Sequence, residues 1–110
     1  MARKTTTYQE DLVEVLKNPR EAAAYLSAAM EEGDQALFLL ALRNVAEAHG
    51  GMAVVSEKTQ LNRESMYRML SSKGNPGIRN IQTLLHSMGL KLTIEPRTKP
   101  TRSSKIKKAA

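Results

Sequence analysis

A small all-α domain is the fold this sequence predicts, and three observations predict it. Apolar residues recur at helical spacing over most of the chain, N-cap residues stand ahead of the stretches, and Leu, Ala, Met and Val are the available core residues. Of the 110 residues 41% are hydrophobic, enough for one modest core. Aromatics are only 4% and Trp is absent, so aliphatic side chains and methionine must fill that core.

Residues 1–7 read as a flexible basic arm, and 8–33 as an N-terminal helical pair. Thr7 and Glu10 have the spacing of a capping box, and Tyr8, Leu12, Val15 and Leu16 follow at helical intervals. Asn18-Pro19 ends this helix and starts the next. Asn18 suits the N-cap, Pro19 the first turn, and Glu21 can close a second box. Ala22, Leu26, Ala29 and Met30 give that helix one apolar stripe, and Gly33 stops it. Asp34 caps a third helix running to about His49. It is apolar on most sides, which predicts a buried, central position.

Gly50-Gly51 breaks the pattern. A short helix from about Met52 to Thr59, a turn at 60–62 and a second short helix from Arg63 to about Ser71 follow. Two short helices joined by such a turn, set among further helices, make a helix-turn-helix. The first braces the pair, and the second presents its N-terminal side chains to base edges in the major groove of double-stranded DNA. Met66, Met69 and Leu70 face inward and Leu61 anchors the turn, leaving Arg63, Glu64, Tyr67 and Arg68 outward. Asn62 is placed to cap the amide of Ser65. Arg63 and Arg68 have the chemistry to read guanine edges or hold phosphates, and Glu64 to accept from cytosine or pair with Arg68. Any of them can equally be part of a solvated helix face. Lys73 and Asn75 lie in the following loop, where backbone contacts are common and where Asn75-Pro76 also serves the turn. The candidate DNA-contacting set is therefore Asn62, Arg63, Glu64, Ser65, Tyr67, Arg68, Lys73 and Asn75.

A last helix carries Ile78, Ile81, Leu84, Leu85 and Met88 on one face, and Gly89 closes it. Residues 90–95 alternate apolar and polar, the only strand-like run, and Pro96 ends it. A lone strand leaves its ladder unpaired, so it is expected to pair with its equivalent in a homodimer, which would also suit a palindromic operator.

The residues LNRESMYRMLSSKGNP (61–76) and IQTLLHSMGLKL (81–92) resemble the phage Cro and repressor family of helix-turn-helix proteins. With the lead-in YQEDLVEVLKNPREAAAYLSAAMEEGD, the chain looks more narrowly like the addiction-module antidote (antitoxin) proteins, HigA-like branch, over about Tyr8 to Pro96. The resemblance implies a repressor-like helix-turn-helix bundle with two extra N-terminal helices and a short C-terminal strand. It also implies a DNA-binding autorepressor that neutralises a small RelE- or HigB-like toxin. Two positions depart from the repressor pattern: Ser56 stands where Ala is usual, and Gln60 where the turn usually has Gly. A left-handed backbone at Gln60 would cost about 1 kcal/mol.

The net charge is +6, and 97–110 holds six basic residues and no acid. This segment is expected to be a disordered basic tail suited to nucleic acid, or simply to solubility. Residues 34–96 make up the expected DNA-binding domain with its terminal strand. The absence of Cys removes disulfides and thiolate chemistry and agrees with a cytoplasmic location. His49 and His86 are far apart with no carboxylate at ligand spacing, and no phosphate-binding, hydrolase or dinucleotide motif occurs. No catalytic residue, metal or cofactor is expected, and no run approaches the ~18 apolar residues of a membrane span. The alternatives are a prophage-type repressor without a toxin and a protein-interaction module gripping a partner through 8–33, its DNA binding lost.

Overall fold

Residues 7–97 are described by a computed structural model, and they form six helices. Helix α1 (Tyr8–Val15) starts at Thr7 with the capping box closed both ways. Thr7 Oγ1 accepts from the Glu10 amide, and the Glu10 carboxylate accepts from the Thr7 amide, both at 3.0 Å. Helix α2 (Pro19–Glu31) is capped by Asn18, whose Oδ1 accepts from the amides of Arg20 and Glu21. The second half of that box does not form. The Asn18 amide that Glu21 would have captured donates instead to the Val15 carbonyl at 3.1 Å, which closes α1.

Helix α3 (Gln35–Ala48) is capped by Asp34, and it organises the core. It buries Phe38, Leu39, Ala41, Leu42, Val45 and Ala46 and packs against α1, α2 and α4 (Gly51–Thr59). Helix α4 packs in turn against α5 (Arg63–Met69) and α6 (Ile78–Ser87). The interior of this second half is rich in sulfur: Met52, Met66 and Met88 are buried beside Val55, Leu70, Leu84 and Leu85. These methionines fill space between short helices, as flexible thioethers do. Helix α3 is not buried all round, because Leu37 and Leu40 reach solvent.

One buried polar group ties the N-terminal pair to α3. Asn44 accepts from Gln9 Nε2 of α1 and donates to the Tyr25 hydroxyl of α2, each at 2.9 Å. Both halves of its amide are thus partnered, as burial requires. Nothing in the local sequence marks this link, which spans 35 and 19 residues.

The expected strand at 90–95 does not form. Gly89 adopts φ +79°, and the amides of Gly89 and Leu90 donate to His86 and Leu85 in a Schellman closure of α6. Beyond it, Leu90 and Leu92 lie half-buried against the core while Lys91, Thr93 and Ile94 are exposed. The alternation holds as burial at Leu90 and Leu92 and fails at Ile94. Yet no second strand exists among the described residues, so the backbone has nothing to pair with. Helix α5 also stops short of the expected Ser71, whose hydroxyl turns back to the Arg68 carbonyl. The arm at 1–6 and the tail at 98–110 lie outside the described residues.

Candidate nucleic-acid interface

The turn between α4 and α5 is built from hydroxyl groups. Gln60 takes φ +66°, the one non-glycine residue with positive φ among those described, and its amide donates to the Ser56 carbonyl. A buried Thr59 hydroxyl donates to the Val55 carbonyl at 2.8 Å and accepts from the Leu61 amide at 3.2 Å. The Ser56 hydroxyl donates to the Leu61 carbonyl. These bonds satisfy the backbone of a left-handed turn that lacks glycine. Ser56 is therefore more than a stand-in for Ala, because its oxygen holds the far side of that turn.

Helix α5 is then fixed from below and behind. Met66 is fully buried and Leu70 nearly so, Asn80 Nδ2 of α6 donates to Met69 Sδ at 3.4 Å, and Asn62 caps the first turn. Behind it, Gly74 presses on the helix end. A Cβ at Gly74 would lie 1.9 Å from the Met69 carbonyl oxygen, so only glycine fits. Gln35, at the start of α3, holds the same loop by donating to the Gly74 carbonyl at 2.8 Å and to Asn75 Oδ1 at 3.5 Å. The loop is thus tied to the core by a residue 39 positions away.

Asn62, Arg63, Glu64, Tyr67 and Arg68 all lie on the exposed side of α5, with Ser65 half-buried among them. Arg63 and Glu64 make no ion pair among the described residues, so the pairing of Glu64 with Arg68 is not formed. Arg68 reaches Ser65 Oγ instead, at 3.3 Å. Asn62 Oδ1 accepts from the amides of Glu64 and Ser65 at 2.8 and 3.1 Å, so those two are not available to a phosphate. The first turn of α4 differs: Gly50 precedes it with φ +108°, and no side chain caps its amides. Lys73 is exposed, whereas Asn75 is engaged by Gln35. Tyr67 is only 39% exposed, because the guanidinium of Arg43 on α3 lies 5.2 Å from its ring centroid. Local patterning misses Arg43 because it belongs to another helix.

The described residues hold no cluster of three or more potential metal ligands, and none of their helices is long and apolar enough to cross a membrane. The surface around this short helix presents cations, amides, the Glu64 carboxylate and one partly covered phenol.

A family model described as that of a probable addiction module antidote protein matches residues 6–96. The match takes in the N-terminal pair and the α4–α5 unit alike. The chain is also 27% identical over 85 residues to an uncharacterized protein of Haemophilus influenzae, covering 77% of this chain and 87% of that one. No solved structure matches it. With a match across all of its helices, the chain belongs to the probable addiction module antidote protein family.

Proposed function

We propose that this protein is an antitoxin that binds double-stranded operator DNA through α5, represses its own operon and neutralises a small RelE- or HigB-like toxin in the cytoplasm. The observation that carries the DNA reading is the outer face of α5. Arg63, Glu64 and Arg68 are exposed and free of ion pairs on a helix whose inner side is anchored by Met66 and Leu70. A helix meant only to complete the fold gains little from holding two arginines uncompensated, whereas guanine edges and phosphates offer each a partner. The uncapped first turn of α4 supports the same reading, since free helix-terminal amides suit a phosphate.

A homodimer fits a two-fold operator, and the segment 91–95, unpaired among the described residues and with Ile94 fully exposed, is the one that would make it. A monomeric sedimentation profile at micromolar concentration would remove this part of the reading. The test of the whole is a reporter driven by the region upstream of the gene, with any small open reading frame found beside it co-expressed. The chain should repress the reporter and relieve growth arrest caused by its neighbour, and Arg63→Ala/Arg68→Ala should lose repression while still relieving arrest. Repression unchanged in that double variant would refute the role given to α5. Repression without any toxic neighbour would leave a plain repressor, and relief of arrest without repression an interaction module.

A further inference from the structure

Arg43 stands outside the helix-turn-helix, yet its side chain is part of the α5 surface. Its guanidinium lies 5.2 Å from the Tyr67 ring centroid, and it is half-buried. It makes no ion pair and no side-chain hydrogen bond among the described residues. A guanidinium cannot shed its charge and presents five N–H donors around its rim. Its cation–π contact with the Tyr67 ring uses no hydrogen-bond acceptor, and no side-chain hydrogen bond occupies that rim among the described residues. A half-buried cation with an unused rim can take an anion, and the described residues provide no carboxylate for it. Glu47, one turn further along α3, is exposed and does not pair with it.

We propose that Arg43 grips a backbone phosphate beside α5, and that the Tyr67 ring is the platform holding its guanidinium ready. The proposal rests on the DNA reading above and extends the interface to α3. It assigns Tyr67 to positioning an arginine rather than to touching a base. The planar side chain is held before DNA arrives, so less side-chain freedom is lost on binding. Since phosphate carries no sequence information, Arg43 adds affinity equally on every duplex.

The test uses the full chain with two probes: a duplex that the wild type selects from a randomised pool, and a shuffled duplex of the same composition. Binding is measured as a function of salt, and circular dichroism checks the fold of each variant. Arg43→Gln should weaken both duplexes alike and lower the slope of log affinity against log salt by about 0.9. Between 50 and 200 mM salt the wild type should therefore lose about 3.5-fold more affinity than the variant. Tyr67→Phe should retain the wild-type slope, and Tyr67→Leu should weaken both duplexes. If Arg43→Gln does not fold, Arg43→Lys keeps the charge and lacks the plane. It should retain the slope with lower affinity for both, and undiminished affinity would overturn the platform. An unchanged slope in folded Arg43→Gln, or a loss confined to the selected duplex, overturns the phosphate role alone. A wild type that enriches no sequence and binds neither duplex overturns the DNA reading and this inference with it.

Discussion

The two ends of the described fold share α3 but differ in charge and in how they are held. Residues 7–34 carry seven acids and two bases, whereas 35–97 carry eight bases and four acids. Taken together these stretches are nearly neutral, which hides the contrast. The acidic end is tied to α3 by aliphatic packing and one buried amide, Asn44. The basic end is tied by methionines, hydroxyl-bonded turns and the Gly74 contact. On the proposed reading, the basic stretch would meet an anion and the acidic one a cation, so two partners would not compete for the same side chains. That separation is what an antidote that also binds DNA would need.

The contrast can be broken most severely at Gly74. Gly74→Ala sets a methyl against the Met69 carbonyl and should cost about 3 kcal/mol in urea unfolding, lowering DNA affinity as α5 is displaced. Arg63→Ala and Arg68→Ala should each weaken operator binding by about 1–3 kcal/mol while stability stays within about 0.5 kcal/mol, because both side chains are exposed. Asn44→Ala should cost about 1–2 kcal/mol of stability by stranding Tyr25 and Gln9, yet leave the sequence preference of DNA binding intact. A shift in that preference would show that the two ends are coupled through α3. Gln60→Gly should stabilise by up to about 1 kcal/mol in the same unfolding assay, since it relieves the left-handed backbone. The smallest effect belongs to the acidic end. Glu31→Gln with Glu32→Gln removes two acids from the C-terminal end of α2 and should raise stability by a few tenths of a kcal/mol at low salt.

Much of this fold is legible locally. Thr7, Asn18, Asp34 and Asn62 cap the helices they precede, because a cap is a contract between residues two or three apart. Gln60 is legible for the same reason: the left-handed turn is a local demand, and the structure meets it with φ +66°. The links that set the site are not local. Gln35 to Gly74, Gln9 to Asn44 to Tyr25, and Arg43 to Tyr67 join residues far apart in the chain, and no periodicity announces them. The strand at 90–95 fails differently. Its alternation reports the core contacts of Leu90 and Leu92 but not the exposure of Ile94, and a strand also needs a neighbour that the described part of one chain does not supply. Among the candidate residues, Arg63 and Glu64 are exposed with no side-chain partner among the described residues, and Arg68 is exposed with one N–H turned to Ser65, whereas Asn62 and Asn75 are partly spent on the fold.

The most direct test of a basic reading face set apart from an acidic one compares two double variants on the selected and shuffled duplexes at fixed salt. Arg63→Ala/Arg68→Ala should collapse the affinity ratio between the two duplexes, and Glu31→Gln/Glu32→Gln should leave it unchanged. A ratio that survives loss of both arginines, or that falls when the acids are neutralised, would contradict the account.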